Sequence, residues 1–406
     1  IQFNERVKYG LFPKPFFFSK NLDIKHNEKI IANSGYVKFY ISFKNFFLSQ
    51  NILPKDLIFQ DTEFNFNSNN IDFFFKALNS SDKENQFIFK KSKFFYKDLN
   101  DDLLFLSKID NFSFFYDDLN NFQKVRSNFE VFNVPFKLDI LKNITNGNKN
   151  IKLSSKKIRL DIETSVEYDE GKIVGLFDLD TINKKNSFSY EINDNSLNFL
   201  SSDKNFKGDV NFKPFYLSTY LNFNYISQRK IFQNDSLLIY LLDSELLNNS
   251  NLNASITINI NQIDKFEYLK NFVSKINLGE GRIIMKDFKT LWNESVLINS
   301  NEIEFLNDID DKKLVGEITF NFEDIEKFFR YFQIKRNYRD VFDKIRLDFV
   351  YDLTLDRLTI NNLKIDNKSF QKIDKFINQY NKSKNNLFNK VTIRNFIKEF
   401  FQVYAG

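Results

Sequence analysis

The chain has 406 residues, 42% hydrophobic and 27% charged, so it can bury a sizeable core and is not disordered as a whole. Its 58 basic and 53 acidic side chains leave a net charge of +5 in alternating signs, without the concentrated basic face that marks nucleic-acid binding. The absence of cysteine excludes disulfides, thiolate metal sites and a cysteine nucleophile, and 10 Gly with 5 Pro exclude collagen-like or linker-dominated architecture.

Pro13 and Pro15 each hold an extended backbone angle and withhold an N–H, so the chain enters as an edge-type extended segment. Phe16, Phe18, Leu22 and Ile24 begin an apolar series. Val37, Phe39 and Ile41 then alternate with Lys38, Tyr40 and Ser42, the period of a half-buried strand. Asn45 to Asn51 is a short apolar interruption. Leu57 and Phe59 start the next extended run, and Phe64 and Phe66 continue it beyond Asp61.

The order of motifs in this opening carries a resemblance: GLFPKPFFFSKNLDI, then Ala-x-x-Gly-x-Val-Lys-Phe-x-Ile-Ser from Ala32, a Phe-Phe-Leu step, and Leu57-Ile58-Phe59-x-Asp61. It resembles the start of the AsmA-like family, proteins anchored in the inner membrane of Gram-negative bacteria. The Lys-Phe-Phe-Tyr-Lys-Asp step from Lys93 to Asp98 is similar to strands that recur in that family. The resemblance implies a periplasmic β-rich protein with a long apolar groove, linked to the movement of phospholipid toward the outer membrane. It also implies an anchoring helix just upstream of Ile1. No run in the chain approaches the roughly 18–20 apolar residues of a membrane helix.

From Phe87 to Tyr116 the pattern predicts three strands, FIFKKSKFFYKD, LLFLSKID and NFSFFYDD, with a turn at Asn100 to Asp102. Phe132, Val134, Phe136, Leu138 and Ile140 lie on one parity, and Pro135 within them predicts an edge position or a bulge. Ile158, Leu160 and Ile162 form the next alternation. Ile151 and Leu153 have the opposite parity, so a bulge or turn is expected near Ser154-Ser155. Phe188, Tyr190 and Ile192 follow, then Val210 and Phe212. After Pro214, Phe215, Leu217, Leu221, Phe223 and Tyr225 share a parity.

Spacing predicts a helix over Asp235 to Leu247 and a second over Ile263 to Lys275, where Ile263, Phe266, Leu269, Phe272 and Val273 make one stripe. Between them, Leu252, Ala254, Ile256, Ile258 and Ile260 form the most regular strand in the chain. Further strands are expected at 282–288, 295–298, 302–306, 314–322 and 345–351, followed by Leu358 with Ile360 and Leu363 with Ile365. Helices are expected at 324–332, 369–380 and 391–403.

The expected fold is therefore mainly β: a long curled antiparallel sheet with several short helices, mostly in the C-terminal half. Its apolar face packs on a second sheet, closes as a barrel, or curls into a trough, and the resemblance favours the trough. The expected halves are an AsmA-like region over residues 1–200 and a second groove region with capping helices over 201–406. Groove candidates are Phe132, Val134, Phe136, Leu138, Ile158, Leu160, Ile162, Phe215, Leu217, Leu221, Phe223, Ile256, Ile258, Ile260, Leu314, Ile318 and Phe320.

Phospholipid is the expected partner, with the inner membrane reached through the upstream anchor and an outer-membrane partner at the far end. No cofactor, metal, nucleic acid or catalysis is expected. His26 lies in a polar turn, Asp178 and Asp180 recruit no further ligands, and Gly279-Glu280-Gly281 precedes a strand and reads as a turn. The competing expectation is a β-rich scaffold or adhesin with a fully packed core. Aromatic girdles on alternating strands throughout would instead mark an outer-membrane barrel, and the predicted helices oppose that.

Overall fold

Extended segments leave their backbone N–H and C=O groups pointing sideways, so each strand must find a neighbour. In the computed structural model the described residues do so with 23 strands assigned to one mixed sheet. The residues described are all except 1, 27, 42–53, 68–69, 72–85, 98–99, 118–119, 170–171, 182–183, 194, 214–215, 228–240, 243, 265–268, 309–310 and 383–389. The chain divides into two compact units, Ile1–Ser202 with Val210–Leu217, and Asp203–Asp209 with Ser218–Gly406.

The first unit opens with two short pieces, β1 (Gln2–Phe3) and β2 (Lys8–Gly10), both paired to β3 (Phe16–His26). The strands that follow are β4 (Lys29–Ile41), β5 (Pro54–Phe66), β6 (Gln86–Lys97), β7 (Leu103–Asp117), β8 (Phe122–Val131) and β9 (Val134–Asn143). They continue as β10 (Lys149–Ser155), β11 (Leu160–Asp169), β12 (Lys172–Thr181), β13 (Lys184–Asn193) and β14 (Ser196–Ser201). From β3 to β14 each pairs antiparallel with the next, except that β5 and β6 are parallel. This corrects the all-antiparallel expectation. Residues 67–85 are long enough to carry the chain back for a parallel return, which a tight turn cannot do. Ile71, within that connection, packs against the core of this unit. The interruption expected at Asn45 to Asn51 lies outside the described residues.

A line of backbone irregularities crosses β3 to β7. Asn21, Asp61 and Lys91 have positive φ, Gly35 stands between Asn21 and Asp61 in the ladder, and the β7–β8 register shifts at Asp110. A residue turned out of the pleat at such a point bends the strand and moves the following side chains to the other parity. Buried positions therefore pass from odd to even along β5, where Phe59 and Phe64 are both closed off. The same switch buries Phe89 and Ser92 on β6. The backbone groups disturbed there are met by small inward hydroxyls. Ser34 Oγ donates to the Tyr36 carbonyl at 3.0 Å, Ser92 Oγ donates to the Lys90 carbonyl at 3.0 Å, and Ser34 and Thr62 share a 2.7 Å hydrogen bond. Rings on either side of the bend then meet, as Phe64 and Phe89 do edge to face at 4.9 Å. Together with Leu22, Ala32, Val37 and Phe66 they make the core of the first unit.

The same device explains strands longer than the sequence pattern suggests. LLFLSKID and NFSFFYDD are one strand, β7, because the parity change at Asp110 is a bulge and not a boundary. Pro135 lies on an interior strand, correcting the edge-or-bulge expectation. It pairs with Glu130, one step from the turn pair Val131–Val134, while the ladder to β10 reaches only as far as Lys137. The β10 side therefore makes no demand on its missing N–H.

Beyond β15 (Phe206–Lys213) and β16 (Tyr216–Ser227), the second unit has β17 (Ala254–Asp264), β18 (Leu269–Gly279), β19 (Arg282–Trp292), β20 (Val296–Asp308) and β21 (Asp311–Phe322). It ends with α1 (Ile325–Phe332), β22 (Lys344–Asp352), β23 (Arg357–Ile365), α2 (Gln371–Lys382) and α3 (Lys390–Ala405). The helix expected over Ile263 to Lys275 is overturned: its described residues end β17 and form most of β18. Asn271 has φ 54° at a bulge, which shifts the apolar positions by one and imitates three- and four-residue spacing. The helix expected over Asp235 to Leu247 falls largely outside the described residues; Leu241 and Leu242 are helical, and Glu245 to Leu247 lie in turns and a bend. Glu280 and Gly281, both at positive φ, make the tight turn between β18 and β19.

The three C-terminal helices occur where their spacing predicts them. Asp324 caps α1 by accepting from the Lys327 N–H at 2.9 Å, and Gln333 ends it in the left-handed region. Phe328, Phe329, Phe332, Ile373, Phe376, Ile377, Phe400 and Phe401 from the helices pack on Val296, Ile345, Ile360, Leu363 and Ile365. Asn381 of α2 reaches the edge of β23, accepting from the Ile360 N–H at 3.1 Å and donating to its carbonyl at 2.7 Å. A side-chain amide thus stands in for a neighbouring strand.

Candidate functional site

In an antiparallel or parallel ladder, residues at paired positions point to the same face, so register tells which side chains form a continuous surface. In the first unit one row runs Phe17, Phe39, Leu57, Phe87, Phe114, Val125, Ile140, Ile151, Thr164, Phe177, Phe188 and Ser201, from β3 to β14. The adjacent row is Ser19, Val37, Phe59, Phe89, Phe112, Ser127, Leu138, Leu153, Ile162 and Leu179. Toward β3 these side chains are closed off: Val37, Phe59 and Phe89 are 2%, 4% and 3% exposed. From β9 to β12 they are only half-buried, including Phe136, Leu138, Ile151, Leu153, Ile162, Phe177 and Leu179.

The opposite face is mainly polar and charged, although Leu141, Leu176 and Leu200 stand exposed along one of its rows. Asp139 takes Lys137 at 3.0 Å and Arg126 at 3.5 Å, and Lys124 meets Asp117 at 2.6 Å. Hydrogen bonds from the Lys124 ammonium and the Asn120 amide hold the Asp117 carboxyl down at about 2. Signs alternate here, so the face is solvated and locally neutral. Asp178 accepts from Ser187 Oγ at 2.5 Å, and the described residues contain no acidic or histidine cluster suited to a metal. His26 closes β3 opposite Lys29 and is half-buried.

The structure brings Phe136, Leu138, Leu160 and Ile162 onto this half-open face, with Leu153 between Leu138 and Ile162. Val134 starts β9 and is fully buried. Phe132 is not on a strand: it and Asn133, at φ 49° and 64°, form the two-residue turn between β8 and β9. It stands two residues before Val134, so the alternation of β9 runs on into the turn and takes Phe132 with it. Ile158 sits in the turn between β10 and β11 and is 3% exposed. Phe215 lies outside the described residues, and Leu217 is half-buried on β16.

In the second unit, Leu221 and Phe223 share a side of β16. Their neighbours Asn222 and Asn224 face away, accepting from Asn259 at 2.9 Å and Asn261 at 3.3 Å. Ile256, Ile258 and Ile260 therefore lie on the same side as Leu221 and Phe223. A row then runs Ile256, Ile276, Met285, Ile303, Gly316, Phe349 and Ile360. Leu314 and Ile318 flank Gly316 on that face, and Phe320 is already packed against the helical core.

Phe177, Ile151, Leu153 and Leu179 belong to the apolar face, although none is a groove candidate from the sequence. Each has the parity of its own strand, but strands cannot be aligned with one another without register. Gly175 occupies the same face beneath the Tyr190 ring, and Thr164 Oγ1 donates to Tyr190 Oη at 3.1 Å. A Cβ at Gly175 would stand 2.8 Å from the Tyr190 ring and closer still to the Ser165 carbonyl. Gly175→Ala is expected to cost about 1–3 kcal/mol in denaturant unfolding, because backbone cannot yield there as a side chain can.

No described helix is long and apolar enough to cross a membrane. Compared with known proteins, the chain matches no protein-family model and no curated protein.

Proposed function

We propose that the chain is a non-enzymatic carrier or conduit for phospholipid acyl chains, of the AsmA-like kind, working in the periplasm between inner and outer membrane. The observation that carries this reading is the run of half-buried apolar side chains from Phe136 to Leu179, continuous across paired strands and backed by a mainly polar face. Apolar side chains left partly open are a poor surface for water and a good one for methylenes, at about 0.8 kcal/mol for each CH₂ buried. Such contacts have no direction, so a chain can slide along successive rows without a single deep minimum. The bend at the line of irregularities supports the curling that a trough requires. An inner-membrane anchor upstream and an outer-membrane partner belong to the same proposal.

The test is photocrosslinking in cells with a benzophenone amino acid at Leu138, Leu153 and Ile162, and at Lys137, Lys152 and Glu163 on the opposite face. Lipid adducts at the first set and few at the second are expected. Equal labelling of both sets would remove the conduit. The scaffold reading draws on the buried cores around Phe59 and Phe329, and it predicts no adducts at either set.

A further inference from the structure

Large apolar side chains that face water on one short segment need a reason, because folding gains nothing from leaving them there. The loop that joins β2 to β3 has that character. Phe12 is 90% exposed, Tyr9 72% and Leu11 48%, with Val7 and Phe3 nearby in sequence and also exposed. The aromatic groups are not stray. Tyr9 pairs with Phe17 and Phe3 with Leu22, so they extend the apolar rows of the first unit to its outermost edge. That edge therefore ends in unburied rings.

The charge along this segment is mainly of one sign, with Asp23 of β3 beside Phe3 taken up by the Asn4 amide at 3.2 Å. Residues 1–20 carry Arg6, Lys8, Lys14 and Lys20 against Glu5 alone. Arg6, Lys8, Lys14 and Lys20 are exposed, and Glu5 is engaged by the Asn21 amide at 2.6 Å. Exposed aromatic and aliphatic tips flanked by cations are the chemistry of a bilayer interface, where rings sit at headgroup depth and lysines meet anionic lipid. A water-facing protein partner would not require the cations.

We infer that the loop between β2 and β3 docks this end of the sheet on an anionic phospholipid bilayer, with Leu11 and Phe12 entering the headgroup region. The inference rests on the lipid-carrier reading for its purpose, and its test reads the loop alone. Because the chain has no cysteine, Phe12→Cys gives a unique attachment point for an environment-sensitive fluorophore. Thr145→Cys, in the exposed turn between β9 and β10, is the control.

The labelled 406-residue chain is mixed with phosphatidylcholine vesicles, with or without phosphatidylglycerol. The expected result is a blue-shifted, brighter signal at position 12 with the anionic vesicles, weakened by salt, and none at position 145. Co-sedimentation should fall at least tenfold in Leu11→Ser/Phe12→Ser and in Lys8→Glu/Lys14→Glu, with circular dichroism unchanged. The inference is overturned by a silent position 12, by equal signals at 12 and 145, or by vesicle binding that survives both double variants. A shift that grows with protein concentration without vesicles also overturns it and points to a second copy of the chain. Docking with no crosslinks at Leu138 or Ile162 would keep this inference and remove the carrier; crosslinks without docking would do the reverse.

Discussion

Phe329→Ala is expected to lower the stability of the second unit by about 3–5 kcal/mol, the range for deleting a fully buried ring when its surroundings cannot collapse. Phe329 is 0% exposed on α1, meets Phe401 of α3 edge to face at 5.1 Å, and lies in one core with Ile345, Ile360 and Leu363. Phe401 in turn stacks near Phe342 at 5.8 Å, so the Phe329 ring is linked through one neighbour on α3 to the stretch before β22. Losing it should loosen the helices from the last strands and expose the Ile360 edge now met by Asn381. Urea unfolding followed at Trp292, whose ring stacks 5.5 Å from Phe332, reads this unit directly. A change below about 1 kcal/mol would mean that the helical core does not hold the strands.

Leu138→Asp combined with Ile162→Asp is expected to abolish lipid capture, by tenfold or more in adduct yield, without unfolding the chain. Both side chains are half-buried on the open part of the apolar face, so a carboxylate there keeps access to water in the empty protein. An acyl chain laid over them would remove that water, and an unpaired buried charge costs more than the methylenes return. The matched variant Lys137→Asp, on the charged face, should leave capture within twofold of the starting chain. Undiminished adducts in the Leu138/Ile162 variant, measured with a benzophenone probe at Leu153, would show that lipid does not use this face.

Much of the fold was legible residue by residue. The period of two at Ile256, Ile258 and Ile260 predicted β17, and the spacing over 391–403 predicted α3. What was not legible clustered at bulges. A single inserted residue at Asn271 made strand β18 look helical, and another at Asp110 made β7 look like two strands. In both places the local pattern is ambiguous, because the extra residue is identified only by the partner strand it fails to match.

The face proposed to carry lipid was half legible in the same way. Leu138, Leu160 and Ile162 were found by parity. Phe132 was drawn in because the alternation of β9 continues by number into the turn before it, and Leu153 and Phe177 were left out for want of register.

The sequence by itself determined which side chains share a face within each unbroken run of strand and where the three C-terminal helices lie, because side-chain period and capping act over a few residues of backbone. Only the tertiary structure decided that β5 and β6 run parallel, that irregularities align across five strands, and which rows are closed and which half-open. Those features depend on hydrogen bonds and packing between segments far apart in the chain, and no local pattern encodes which segment will be the neighbour.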